Sequence, residues 1–407
     1  DTSALGDPPV LTGREPPVLA DLAAAVRERI ARPIGSATLL EEIRRRNARR
    51  VVVIVNDVTR PTPYDSILPP LLAEIEAAGV RKPDVTFVVA TGIHRGMTEE
   101  EMKAILGSNV MAAHPVMNHD CDDTANLVHL GRLSHGSELY VNRVVLETDM
   151  VITTGVIAPH YFAGFSGGRK SILPGVAGRE TISHNHSLMT SDFAEVCNIE
   201  ENPVHQEMVE AARKVDVGFM VNVVVDAHGD AVGVVAGDIE QAWLEGVRMG
   251  REISVTHIDR LYDVAIASPG GYPKDINVYQ AQKGLDNAAR AVRSGGTVIL
   301  VAECPEGYGE PTFEEWMEEA HSPGDIFARF AAGFELGGHK AYSLARVMRD
   351  REVVLVSGLG EAFTRKLFMT PAPSLDAAID YVRAKHGPGF TSVILPHAGI
   401  VVPTLKS

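Results

Sequence analysis

The chain has 407 residues, too many for one ordinary core, so two domains are expected. Apolar residues make up 45% and charged residues 22%, the balance of a soluble globular protein, and no apolar run approaches the roughly 18 residues that would span a bilayer. The formal net charge of −15, with no basic run to offset it, argues against nucleic acid as a partner; a small anion is still admissible where Arg, Lys and helix N-termini cluster locally.

Residues 1–17 are polar and proline-rich without an apolar h-region, so no signal peptide is expected. Strands and helices then alternate in the manner of parallel sheets covered by helices. RVVVIVN (50–56) and VTFVVA (85–90) read as buried strands, because their β-branched runs lack polar alternation. TEEE from Thr98 is a capping box that opens a helix. Cys121, the first of three widely spaced cysteines with Cys197 and Cys304, begins an odd set that suits neither a disulfide framework nor a CxxC metal site and points to a reducing cytoplasm. Further strands are expected over 139–146, 150–157 and 220–227, and a helix over 238–252.

A second unit begins near Asp263, where DVAIASPGG is a strand entering a Gly-rich turn. A helix over 277–292 and a strand over 297–302 follow, then helices near 313–320, 323–332 and 339–349, a strand over 353–356 and a helix over 375–385. The expected architecture is two α/β domains with mainly parallel sheets and an interdomain active-site cleft. Residues 1–262 form the first domain, rejoined by the last segment (about 393–407), and residues 263–392 form the second, which closes the cleft.

Four loop segments carry an unusual share of reactive side chains, each after a strand or opening a helix, where open α/β sheets place their crevices. In NDVTRPTP (56–63), Asp57 and Arg60 follow a buried strand; they read as a surface turn with a local ion pair or as a guanidinium fork for a carboxylate. In ATGIHRGMT (90–98), Thr91 and Gly92 end a strand and His94 stands at its mouth, either a polar surface residue or an acid–base group. In APHYFAGFSGGRKSILPGVAGRETISHNH (158–186), Ser166, Gly167 and Gly168 make a turn whose N–H groups could hold a phosphate. Arg169 and Lys170 follow it, with His160 before and His184 and His186 after. Two residues apart on a helix is about 200°, so only one of that last pair can face a given site. Neither GxxxxGK[ST] nor GxGxxG occurs, which counts against a P-loop and against a nicotinamide-dependent dehydrogenase. In GGYPKDINVYQAQKG (270–284), Gln280 and Lys283 share one face of a helix beside Tyr279, a solvated surface or a wall of the cleft.

Taken together, DVTRP, TGIHR, PHYFAGFSGGRK, the pair Asn185–His186 and YQAQKG resemble the lactate racemase family over about residues 50–290. The resemblance implies a 2-hydroxy acid racemase or epimerase with a nickel-pincer nucleotide, made from nicotinic acid mononucleotide by separate cofactor-synthesis proteins. On it, Lys170 is the covalent tether, His186 the nickel ligand, and His94 and His160 the acid–base pair. Arg60, Tyr279, Gln280 and Lys283 hold the substrate; Asp57, Thr91, Gly92, Ser166, Gly167 and Gly168 accompany the cofactor. A non-catalytic cofactor carrier would need Lys170 and His186 but not both His94 and His160, so the presence of both favours an enzyme.

Overall fold

The computed structural model describes residues 7–406. The chain forms two compact units, Pro16–Glu252 and a second made of the stretch up to Glu15 together with Ile253 onward. Residues 1–6 and 407, which the expected first domain included, lie outside the described residues. Among the described residues no helix is long and apolar enough to cross a membrane.

In the unit Pro16–Glu252 the strands are β1 (Val51–Asn56), β2 (Val85–Ala90), β3 (Val116–Asn118), β4 (Leu127–Arg132), β5 (Glu138–Asn142), β6 (Met150–Ile157), β7 (Pro159–His160), β8 (Gly164–Phe165), β9 (Val217–Val225) and β10 (Ala231–Gly237). Six of them build one sheet in the order β10-β9-β6-β1-β2-β3, parallel throughout except at the β9–β10 edge. β1 is buried along all but its last residue, as a strand covered on both faces must be. Its alternate residues Val51, Val53 and Val55 join Phe87, Val89, Phe219 and Val221 in one core with Ile30, Ile43, Ile67 and Leu71 from helices Leu22–Ala31, Leu39–Arg45 and Tyr64–Ala77. β1 leads to β2 and β3 on one side, whereas β6 and β9 lie on the other. The order therefore reverses between β1 and β6, the position at which open α/β sheets form a crevice beyond their carboxyl ends. The loops leaving β1, β2 and β6 at those ends begin with Asp57, Thr91 and Ala158.

The second unit contains β11 (Val255–Ile258), β12 (Tyr262–Ala267), β13 (Val292–Val301), β14 (Glu352–Val356), β15 (Thr370–Ala372), β16 (Ser392–Leu395) and β17 (Val402–Leu405). Its main sheet, β15-β14-β13-β12-β16, is wholly parallel, and β11 pairs in parallel with β17.

Two expectations are corrected. The last segment does not rejoin the first domain: β16 pairs with β12 from Val264↔Ser392 to Ala267↔Leu395. The helix Leu375–His386 delivers the chain to an edge of β12 whose buried backbone groups need partners. On its other side β16 is met by the N-terminal stretch, with Leu11 N–H donating to Ile394 O at 2.8 Å and Ile394 N–H to Pro9 O at 2.9 Å. The strand expected over 139–146 ends at Asn142, whose side chain accepts from Val144 N–H at 3.0 Å and starts the short helix Arg143–Leu146.

Tyr64 fixes the exit of β1. Its hydroxyl accepts from Asn56 N–H at 2.5 Å, and burial pushes the phenol up to about 12. Tyr64→Phe strands that N–H and is expected to lower unfolding free energy by about 1–3 kcal/mol. Denaturant unfolding should show a shifted midpoint with an unchanged slope.

Candidate active site

The turn after β1 is organised by Asp57. Thr59 donates its N–H (3.0 Å) and hydroxyl (2.6 Å) to Oδ1, which leaves Oδ2 for His94 Nδ1 at 2.6 Å. Burial pushes the Asp57 carboxyl up, but the hydrogen bond and charge of His94, the Thr59 hydroxyl and the charge of Arg60 outweigh it and hold the group below the usual carboxylate range. A carboxylate at Nδ1 makes that nitrogen the protonated one, so the Nε2 lone pair of His94 is left to act as a base. The His94 side chain is 45% exposed, so Nε2 is reachable from outside. Asp57, expected among the cofactor contacts, thus serves first as the partner of His94.

Thr91 and Gly92 do local work at the end of β2. The buried Thr91 hydroxyl donates to His119 O at 2.7 Å, and Gly92 N–H donates to Gly175 O at 3.0 Å, tying this turn to the backbone beyond Lys170.

After β6 the chain makes the small hairpin β7–β8 and then the turn at 166–170. At the turn where an anion cradle is expected, the N–H groups of Ser166 and Gly168 and the Ser166 hydroxyl have partners within the protein. Ser166 N–H donates to Ala158 O (2.8 Å), its hydroxyl to Val156 O (2.8 Å), and Gly168 N–H to Asn222 Oδ1 (2.8 Å). Gly168 is required by its packing: φ is +51°, and a Cβ would lie 2.7 Å from Trp243 Cδ1. The turn packs against Trp243 and Asn222 and leads directly into two cations.

Those cations differ in role. Arg169 is 1% exposed. It donates to Phe165 O and Ala163 O at 2.7 Å each and to His205 Nδ1 at 3.1 Å, and its guanidinium lies 3.8 Å from the centre of the Trp243 ring. Lys170 is held well below the ordinary lysine range by burial first, then by the charges of Arg169 and Arg60. Desolvation and neighbouring positive charge both favour the neutral amine, which is the nucleophilic form of a lysine. Arg60 acts electrostatically on both Asp57 and Lys170, which brings the segments after β1 and β6 into one site.

Phe162, at the tip of the β7–β8 hairpin, links three of the expected residues. Its ring meets His160 edge-on at 4.7 Å and His186 edge-on at 5.1 Å, and Lys170 Nζ lies 5.7 Å from its centre. His160 also stacks on Tyr161 at 5.1 Å, and its Nδ1 accepts from Ala163 N–H at 3.3 Å. On the helix Arg179–Ser187, His186 is buried and His184 exposed, as their angular separation requires.

In the second unit Asn277 caps the helix Val278–Ala289, accepting from Gln280 N–H at 3.0 Å. Lys283 Nζ donates to Gln280 Oε1 at 3.0 Å, so this pair shares a face as expected. Tyr279 packs edge-on against Phe313 and His339, and Lys340 Nζ lies 5.2 Å from its ring while donating to Gln282 Oε1 at 2.8 Å. Phe162, Asn222, Trp243 and Lys340 were not singled out from sequence. Phe162 carried one usable signal, an aromatic directly between His160 and the Gly-rich turn.

The Asp57 shift has a consequence for stability against pH. Because its folded value is depressed, the stabilisation is fully present above the unfolded carboxyl value of about 3.9 and is lost as pH falls through the lower folded value. Asp57→Asn should flatten the acid limb of the stability profile, and nitrogen NMR of His94 should show loss of the fixed Nδ1–H tautomer. An unchanged acid limb and tautomer would remove Asp57 as its partner.

Residues 8–197 match the lactate racemase N-terminal domain family and residues 258–402 the lactate racemase C-terminal domain family. The lactate racemase of Thermoanaerobacterium thermosaccharolyticum is 35% identical over 361 residues, covering 87% of this chain and 84% of that one. That of Lactiplantibacillus plantarum is 35% identical over 388 residues, covering 93% and 90%. The solved lactate racemase apoprotein from T. thermosaccharolyticum superimposes with a TM-score of 0.91 at 32% identity, over 97% of this chain and 94% of that one. Motifs, fold and both domain matches agree: the chain belongs to the lactate racemase family and is an isomerase of the racemase type.

Proposed function

We propose that the protein inverts C2 of a 2-hydroxy acid, lactate-like or malate-like, with the help of a nickel-pincer nucleotide tethered through Lys170. The observation that carries this reading is the desolvated Lys170 amine in the same electrostatic environment as the Asp57–His94 pair and Arg60. A thioamide tether needs a neutral amine, which burial at Lys170 favours, and Ni(II) accepts imidazole, which His186 offers from a buried position beside Phe162. The residues present therefore fit the group. When bound, it supplies a hydride acceptor, which no side chain can, and the C2–H beside an anionic carboxylate is too weak an acid to leave as a proton.

The protein's own residues do the rest. His94, held by Asp57, takes the hydroxyl proton at Nε2 for one enantiomer, and His160 does so for the other. Arg60 receives the substrate carboxylate through its planar fork. Gln280, Lys283 and Tyr279 are proposed as further substrate contacts. Thr91, Gly92, Ser166, Gly167 and Gly168 hold the turns from which His94 and Lys170 project. The cofactor would come from separate synthesis proteins, and an odd, widely spaced set of three cysteines fits a reducing cytoplasm.

Protein produced with the cofactor-synthesis enzymes should carry about one nickel and an added mass at Lys170, both absent in Lys170→Ala. Given a panel of 2-hydroxy acids, it should invert C2 of at least one, and 2-deuterated substrate should keep its deuterium in the product. Rapid exchange of that label with solvent would mean proton abstraction at carbon and would overturn the reading. His94→Ala or His160→Ala should lower turnover roughly 10²–10⁴-fold, equally from either enantiomer, with nickel retained. Arg60→Lys should lose activity despite keeping its charge, because an ammonium cannot form the bidentate contact.

A further inference from the structure

Glu207 has no part in the chemistry described so far, yet it is a fully buried carboxylate at 0% exposure. Its partners are all neutral donors. Oε1 accepts from the backbone N–H groups of His135 and Ser137, each at 3.1 Å; Oε2 accepts from the Ser137 hydroxyl at 2.5 Å and from Asn185 Nδ2 at 3.1 Å. These donors come from two elements besides the helix Pro203–Val215 that carries Glu207. One is the turn between β4 and β5; the other is the helix Arg179–Ser187, which carries His186. A carboxylate accepts several strong hydrogen bonds at once, so one buried group can clamp three pieces of chain.

From this network we infer that Glu207 is a positioning residue for His186, acting through Asn185; the inference rests on the proposed role of His186 as nickel ligand. Asn185 is fully buried and immediately precedes His186. Its amide donates to Glu207 Oε2 and to Val204 O, two acceptors that forbid the flipped orientation, and Oδ1 is left buried without a hydrogen-bond partner. His184, on the other side of Asn185, is tied to the same hub: the Ser137 hydroxyl donates to Glu207, so His184 Nδ1–H at 2.9 Å donates to Ser137 Oγ. The turn of helix that presents His186 is thus fixed in rotation and height by one carboxylate. A metal ligand held in this way keeps its geometry without paying for ordering when the metal arrives, and loss of such an outer partner typically weakens metal binding 10–100-fold.

The test uses full-length protein loaded by the cofactor-synthesis enzymes and reads two quantities separately, added mass at Lys170 and nickel retained against a chelator series. Glu207→Gln and Asn185→Ala should keep the Lys170 adduct but release nickel at 10–100-fold lower chelator concentration than the unsubstituted protein. Glu210→Ala removes a neighbouring clasp from the same helix, Ser134 N–H to Glu210 Oε2 at 2.8 Å, without touching Asn185, and should leave nickel retention unchanged. A merely structural role would not separate nickel from adduct in this way. If Glu207→Gln does not fold, Asn185→Ala decides alone, since it removes the link to the hub and one bond to Val204 O while leaving the Ser137 and His135 clasps on Glu207 in place. Adduct-bearing Asn185→Ala that holds nickel as tightly as the unsubstituted protein overturns the inference. Unsubstituted protein with neither adduct nor nickel overturns the underlying reading instead.

Discussion

A guanidinium buried to 1% exposure has to find acceptors, and the backbone around Arg169 is shaped by that need. Ala163 O, Phe165 O and Gly167 O all turn toward it, which folds the β7–β8 hairpin back over the side chain. The ring of Trp243 closes one face. His205 accepts from Nε and can do so only while neutral; burial and then the Arg169 charge push it down to about 3, so it stays neutral across the ordinary pH range. The same charge, next in sequence to Lys170, adds to burial in pushing that amine below the ordinary lysine range. A single desolvated cation therefore shapes the loop and the hairpin that carries Phe162, and biases its neighbour toward the neutral form.

The two sheets could be read in the sequence because parallel strands buried on both faces leave unbroken β-branched runs, as in VVVIVN and VTFVVA. The reactive segments could be read because strand ends and Gly turns mark them. What escaped was pairing across distance. The hydrogen bond from His94 to Asp57 spans 37 residues, and the Glu207 network reaches 70 residues back to Ser137. No local periodicity encodes such contacts. SVILPHAGIVVP went astray for the same reason: an apolar strand announces burial but not which sheet edge will take it. The Ser166–Gly168 turn is ambiguous in another way, since a Gly-rich turn that cradles an anion and one that lets a tryptophan approach have the same composition. Only the destinations of the N–H groups tell them apart.

Electrostatics in this protein are local and opposed to its overall charge. Against a formal −15, Arg60, Arg169 and Lys170 gather near the carboxyl edge of the first sheet, where burial first and then the two guanidinium charges lower the affinity of Lys170 for its proton. Two buried carboxylates, Asp57 and Glu207, are managed differently. Asp57 is ionised against a histidine and keeps one oxygen for it, whereas Glu207 is wrapped by backbone, hydroxyl and amide donors. The first arrangement leaves its partner able to exchange a proton. The second immobilises everything it touches.

The two histidines assigned to proton transfer are not equivalent. Asp57 draws the proton of His94 to Nδ1, whereas Ala163 N–H points at Nδ1 of His160 and favours its proton on Nε2. With the proposed roles, one base is oriented by a carboxylate and the other by a backbone N–H, so the two faces of the substrate meet unlike partners. Because enantiomers have equal free energy, kcat/KM is the same for both hands. The asymmetry therefore surfaces in saturation, with KM and kcat for the two hands differing by a common factor.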